Sequence, residues 1–327
     1  MKIGADRERT IFTMLITGTF LDEITADIPH QNWGEKEWDR EFATMKMAGI
    51  DTVIMIRCGN QRFITYPSEY LMEKRGAYRP PLDLVDIFLR LADKYSIDFY
   101  FGLYDGGCMR KAWFVGSLMS EVDDCKFVAE EVWKRYGHHK SFKGWYLNHE
   151  IGIGDGELYI LDERTEYDRI IGNFVKEISG GLPTIISPYI SGSKAQANPL
   201  DITAHDKLWN RVLSTLQGAV DIVAFQDGHC EYDELEDYIK VNKALADKYN
   251  MISWTNCESF DRDMPIKFLP IKWEKMRLKL EAAEKTGVEK AITFEFSHFM
   301  SPHSMYSSAH GLFDRYMEYR EEVLKRS

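Results

Sequence analysis

The chain has 327 residues, 44% of them hydrophobic and 28% charged, with only 10 prolines, which excludes a disordered or collagen-like protein and allows a large core. Fifty-two acidic residues against 41 basic ones give a formal net charge of −11, and no run of five Lys/Arg occurs, so a general binder of nucleic-acid backbones is excluded. The five cysteines, Cys58, Cys108, Cys125, Cys230 and Cys257, are odd in number and form no CxxC pair, which reads as reduced thiols rather than a disulfide framework or a structural zinc site.

In chain order, the first apolar run is Ile11 to Leu21 (IFTMLITGTFL). Three threonines and a glycine interrupt it, Asp6 and Glu8 cancel its positive flank, and no small-x-small cleavage site follows, so it reads as a buried strand and not as a signal peptide. No window reaches 18 uninterrupted apolar residues, so no transmembrane helix is expected, and the expected compartment is the cytoplasm. The same pattern of apolar run, polar cluster and amphipathic segment then recurs until it has appeared eight times. The runs cover residues 14–23, 50–59, 97–106, 142–150, 182–190, 220–228, 251–260 and 290–299, with starts roughly 40 residues apart.

Helical signatures lie between them. Glu35 to Ala48 carries Trp38, Phe42, Met45 and Met47 and stops at Gly49, and Leu82 to Tyr95 follows Pro80-Pro81. Further helices are expected at Glu121 to Tyr136, Tyr167 to Ile178, Asp206 to Leu216, Tyr232 to Tyr249, Trp273 to Thr286 and Gly311 to Lys325. Eight doubly buried strands, each followed by an amphipathic helix, predict a closed (β/α)8 barrel of parallel strands with long βα loops. An open doubly wound sheet is the alternative, but neither GxGxxG after the first strand nor GxxxxGK[ST] occurs. No Pro/Gly/Ser-rich linker divides residues 1–327, which predicts one domain.

Barrel chemistry gathers at the carboxyl ends of the strands. Those ends carry Asp22 and Glu23, Arg57, Tyr104 and Asp105, Asn148 and Glu150, Tyr189, Gln226 and Asp227, Asn256 and Glu258, and Glu295 with His298. Asp commonly caps a following helix, so Asp105 and Asp227, each preceding a glycine, read equally well as turn residues. Glu caps poorly and is costly to bury alone, so Glu150, Glu258 and Glu295 each need a partner or a function, with Arg57 the expected partner of Glu295.

Two carboxylates on one cavity are the machinery of glycosidic cleavage, one protonating the leaving oxygen and the other attacking the anomeric carbon or activating water. Glu150 on the fourth strand and Glu258 on the seventh resemble the acid/base and nucleophile of the large clan of retaining (β/α)8 glycosidases. This sequence reads Asn148-His149-Glu150, with one residue between asparagine and acid. A closer resemblance covers nearly the whole chain: TGTFLDE, GWYLNHE, AFQDG and WTNCE are similar to the bacterial barrels of the domain of unknown function 4434 family. It implies a glycosidase-like barrel without assigning a reaction.

The expected activity is hydrolysis of a small oligosaccharide or glycoside, retaining, with no cofactor and no metal, and with carbohydrate rather than nucleic acid or membrane as the partner. For retention the two carboxyl groups should lie about 5 to 5.5 Å apart, for inversion about 6.5 to 9.5 Å. Asp22, Arg57, Asp105, Asn148, Gln226, Asp227, Asn256, Glu295 and His298 are the expected polar contacts to substrate. Asn256 or Arg57 is expected to hold Glu258 ionised. Trp33, Trp113, Tyr189 and Trp254 are candidate stacking faces for a sugar ring. His149 alternates away from Glu150 toward the helix shell, and Trp145 and Tyr146 cannot both face the lumen. Two other readings are a Mn²⁺ or Mg²⁺ sugar isomerase using Glu150, Asp227, His229, Glu258, Glu295 and His298, and a catalytically silent carbohydrate-binding barrel.

Overall fold

The computed structural model describes residues 13–26, 28–108, 118–152, 158–266 and 268–326. Eight strands close into a barrel: β1 (Ile16–Leu21), β2 (Thr52–Met55), β3 (Asp98–Gly102), β4 (Phe142–Tyr146), β5 (Thr184–Ile186), β6 (Ile222–Gln226), β7 (Ile252–Asn256) and β8 (Lys290–Thr293). Every neighbouring pair is parallel, and β8 returns to β1 through Ile16↔Ala291 and Thr19↔Thr293. The ring is the (β/α)8 barrel that the alternating pattern predicts, and the open sheet is ruled out by its closure.

One long helix follows each strand: α1 (Glu35–Ala48), α2 (Leu84–Tyr95), α3 (Val122–Tyr136), α4 (Leu158–Ile178), α5 (Ile202–Leu216), α6 (Leu235–Lys248), α7 (Trp273–Glu284) and α8 (Ser307–Leu324). α1 begins where Glu37 accepts the Gly34 amide at 3.0 Å and ends at Gly49, whose φ of 90° suits glycine. α2 starts at Leu84, later than Leu82, because Asp83 caps it by accepting the Asp86 amide at 3.0 Å. α4 starts nine residues before Tyr167, taking in the apolar Leu158 to Leu161 stretch, and α8 starts four before Gly311, where a first turn of Ser307-Ser308-Ala309-His310 lacks the periodicity that marks a buried stripe. Among the described residues, no helix is long and apolar enough to cross a membrane.

Strand alternation sorts the side chains into two cores. Phe20, Ile54, Tyr100, Tyr146, Ile185, Ile222, Trp254 and Ile292 fill the lumen, whereas Val53, Phe99, Phe101, Trp145, Ile186 and Val223 face the helices. Burying one such aliphatic or phenyl side chain contributes roughly 1.5–3 kcal/mol. Tyr146 meets Phe20 edge-on at 5.1 Å inside the barrel, while Trp145 packs on Phe142 at 4.9 Å outside it. The two residues thus take opposite faces, as alternation requires. Trp254 is a lumen residue, edge-on to Tyr100 at 6.2 Å and under the Lys290 ammonium at 5.1 Å. A small sheet extends the β2 and β3 ends, where Gly59–Asn60 pairs with Phe63–Ile64 and with Tyr104–Asp105.

α1 also buries a carboxyl. Glu41 accepts the Ser301 hydroxyl at 2.8 Å, and burial pushes it up to about 8, against the lowering effect of hydrogen bonding by Ser301 and Ser297. A carboxyl raised by folding favours the fold below its ordinary 4.5, and that contribution is lost as pH rises through about 8. Glu41→Gln removes the ionisation. Its melts should coincide with wild type near pH 4, and the variant should become the more stable by on the order of 2 kcal/mol at pH 8. A gap that stays constant with pH would mean that Glu41 does not titrate with folding.

Candidate active site

The strand ends surround a cavity of about 350 Å³. Its contents follow from which residues lie just beyond each strand. Glu258, two residues past β7, is 1% exposed, and an ionised carboxylate there requires compensation. Arg262, one helical turn's spacing onward, supplies it: Nε donates to Oε2 at 2.6 Å and Nη2 to Oε1 at 2.5 Å. Burial works against the charge, but Arg262, with Lys279 and His229 behind it, outweighs burial and holds the carboxyl below its ordinary range.

The Glu258 backbone is clamped as well. Its amide donates to Asp227 Oδ1 at 3.1 Å, and the buried Lys279 ammonium donates to the Glu258 carbonyl at 2.9 Å and to Asp227 Oδ1 at 2.8 Å. Gly228 is required beside it, because a Cβ there would sit 1.9 Å from Glu258 Oε2 and 2.1 Å from Arg262 Nε. Asp227-Gly228 is therefore more than a generic turn. The aspartate holds the glutamate's backbone, and the glycine leaves room for its ion pair.

Glu150, four residues past β4, faces the same cavity. The Tyr189 hydroxyl donates to one of its oxygens and Gln226 Nε2 to the other at 3.2 Å, while Gln226 also donates to the Ser187 carbonyl at 2.6 Å. Burial, then the Glu150 charge, pushes the Tyr189 phenol well up, so Tyr189 stays a donor. It contacts Glu150 through its hydroxyl, and its ring packs against His229 at 5.6 Å.

On the β1 to β4 side, Arg57 Nη1 pairs with Asp105 Oδ2 at 2.6 Å, and Asp22 Oδ1 accepts the amides of Ile24 and Thr25 at 3.1 and 2.9 Å. Several buried polar atoms here have no hydrogen-bond partner: Asp22 Oδ2, Arg57 Nε and both amide atoms of Asn148. Each such group costs about 1–3 kcal/mol if left unmet. The same cavity is also lined by the apolar Ile28, Ile56, Phe260, Phe268 and Phe294, with Phe260 4.9 Å from Phe268 and 6.1 Å from Phe294.

Asp22, Arg57, Asp105, Asn148, Glu150, Tyr189, Gln226 and Glu258 are therefore brought together. The other expected contacts lie elsewhere. Asn256 is buried, donating to Ser187 Oγ at 3.2 Å, and Asp227 faces Lys279. Glu295 is fully buried and caps the turn Phe296–Phe299, accepting the amides of Ser297 and His298 at 3.2 and 2.7 Å and bonding the His298 ring. Its partner is thus His298 and not Arg57, which Asp105 holds. Likewise Arg262, and neither Asn256 nor Arg57, neutralises Glu258. Trp33 packs edge-on against Trp38 at 5.0 Å in the helix shell, and Trp113 lies outside the described residues. His149 packs on Tyr167 of α4 at 4.7 Å, on the shell side as alternation predicts. Among the described residues, no group of three or more His, Cys, Asp or Glu is arranged to hold a metal ion.

Sequence reasoning missed Arg262 and the cavity phenylalanines. A lone arginine four residues beyond a strand-end glutamate is the signal that was available for the first.

The sequence matches the family described as Domain of unknown function (DUF4434) over residues 16–306. No curated protein matches it. The crystal structure of a Bacteroides thetaiotaomicron protein, provisionally described as an alpha-L-fucosidase, is 54% identical, covers 98% of this chain and 99% of that one, and has a TM-score of 0.88. The intracellular xylanase of Thermoanaerobacterium saccharolyticum (10% identity, 88% and 89% of the two chains, TM-score 0.50) has a similar fold. So does the beta-galactosidase of Marinomonas ef1 (10% identity, 95% of this chain and 59% of that one, TM-score 0.58).

Arg262→Met should expose the clamp's energetics. Removing one partner of a buried pair typically costs 3–5 kcal/mol, and about 3 kcal/mol is expected at pH 7 in denaturant melts. A carboxyl held low by folding stabilises above its ordinary pKa and loses that contribution as pH falls through the lowered one, so the gap should narrow on acidification. A gap below about 0.5 kcal/mol at pH 7, the size typical of an exposed pair, would show that the pair is not an effectively buried one.

Proposed function

The chain belongs to the family described as Domain of unknown function (DUF4434), and we propose that it is a retaining glycoside hydrolase in which Glu150 is the acid/base and Glu258 the nucleophile. One observation carries this reading: two glutamates from β4 and β7 open onto one cavity in different settings. Glu258 is gripped by a guanidinium that keeps it ionised, while the donors to Glu150 are the uncharged Tyr189 hydroxyl and Gln226 amide. A nucleophile and a proton donor need that contrast.

In the first step a Glu258 oxygen bonds to the anomeric carbon as the carbon–oxygen bond to the leaving group breaks, and Glu150 gives that oxygen its proton. In the second, Glu150 takes a proton from water, whose oxygen displaces Glu258 and restores both carboxyls. Asp22, Arg57 and Asn148 have the unmet donors and acceptors that sugar hydroxyls supply, and Phe260, Phe268 and Phe294 offer faces for the apolar C–H side of a ring. The 54% identity to the protein provisionally described as a fucosidase makes small α-L-fucosides the first substrates to test. We place this activity in one barrel domain working in the cytoplasm, where Cys58, Cys125, Cys230 and Cys257, all buried thiols, are compatible with a reducing environment.

A panel of aryl glycosides headed by the α-L-fucoside should reveal turnover, with product stereochemistry followed by proton NMR. Retention is expected, and inversion would remove Glu258 as nucleophile. Glu258→Gln should abolish turnover while ligand binding persists, whereas ligand binding without turnover in the wild type would favour a silent binder. Glu150→Ala should lose about 10²- to 10⁴-fold on unactivated glycosides and recover partly with good leaving groups or azide. A loss within about tenfold on an unactivated substrate would end the acid assignment.

A further inference from the structure

Behind the cavity, the chain after β8 is joined to the loop between β1 and α1 by a histidine whose two ring nitrogens both face acceptors. His298 Nδ1 meets the Glu295 carboxylate, and Nε2 lies 2.7 Å from the backbone carbonyl of Pro29. A carbonyl can only accept. The carboxylate already receives two backbone amides, so it too acts as an acceptor. Both ring nitrogens therefore carry protons, and the residue is an imidazolium. Gln31 Nε2 adds a second link across the same seam, donating to the Ser297 carbonyl at 3.2 Å. The loop so fastened contributes Asp22, Thr25 and Ile28 to the cavity.

We infer that His298 is a positioning residue, a charged latch that fixes the β1–α1 loop and thereby the part of the substrate pocket this loop builds. The link to catalysis rests on the glycosidase reading; the latch itself does not. The ionisable groups facing the ring are Glu295 on its own turn, Glu23 at 3.8 Å and Asp22 beyond the end of β1, with Glu41 of α1 acting on the Glu295 and Ser297 side. Burial opposes the imidazolium charge, but Glu295, then Glu23 and Asp22, more than offset it and raise the ring from 6.5 to about 9. A base raised by folding contributes fully below 6.5 and loses that contribution as pH rises through about 9, so the latch is closed at neutrality and opens in alkali. Glu23, pushed to about 7 mainly by burial, adds its charge beside the ring as pH rises past neutrality.

Hydrogen exchange read by mass spectrometry tests this without reference to catalysis. In His298→Gln, which retains a side chain able to donate to Pro29 but has no charge, peptides spanning 22–34 should exchange at least about tenfold faster at pH 7.5, with the β5 and β6 peptides unchanged. Wild type, corrected for intrinsic exchange, should show the same loss between pH 8 and 10, and the variant should not. Histidine-selective NMR gives a reading should the variant fail to fold: the wild-type ring should keep two N–H protons at pH 7.5 and titrate near 9. A single ring proton at pH 7.5, unchanged loop exchange in the variant, or a pH step shared by both proteins would overturn the latch. On an active substrate, His298→Gln should raise KM about five- to tenfold with kcat within about threefold, since a positioning loss falls on binding. A kcat loss larger than the KM rise would overturn the positioning role. Absence of glycosidase activity in wild type would sink the function while leaving the exchange result to stand or fall alone.

Discussion

A carboxylate almost wholly withdrawn from water is the constraint around which this mouth is organised. Glu258 remains charged only because Arg262 matches both its oxygens and because the backbone on either side of it is held by Asp227 and Lys279. Each of those residues is fixed in turn by its own element: Asp227 by the end of β6, Lys279 by α7, Arg262 by the chain beyond β7. The ion pair also dictates backbone composition, since Gly228 lies where any side chain would enter the carboxylate. A low-dielectric site makes such a pair strong when it is complete and costly when it is broken, which is why the supports come both from Glu258's own βα unit and from the one before it.

The barrel delivers this constellation by geometry rather than by sequence proximity. Glu150 and Glu258 are 108 positions apart, yet β4 and β7 release their chains at the same end of the ring. The lining they share includes amide, carboxylate and guanidinium atoms without partners as well as phenyl and aliphatic side chains.

Much of this was legible in the chain because strand periodicity and strand ends are local signals. Eight apolar runs with helical patterns between them contain the barrel, and the polar residues toward the end of the runs include Asp22, Arg57, Asn148, Glu150, Gln226 and Glu258. Partnerships were not legible, because they depend on how neighbouring loops cross. Arg57 turned to Asp105 through the small sheet extending β2 and β3, and the resulting vacancy at Glu258 was filled by Arg262 from its own loop. Glu295 illustrates a different limit. Glutamate caps helices poorly on average, but here two amides of a single helical turn and one imidazolium supply enough partners to keep it buried. Trp33 looked like a sugar platform from its loop position, and the proximity of Trp38 drew it into the shell instead.

The aromatic filling of the lumen has a consequence for traffic. Phe20, Tyr100, Tyr146 and Trp254 occupy the barrel axis beneath the cavity, so nothing passes through the ring from below. Water and any ligand exchange through the same upper opening. Whatever occupies the cavity must leave by the route its successor will use, so exchange is a queue at one door and not a flow between two.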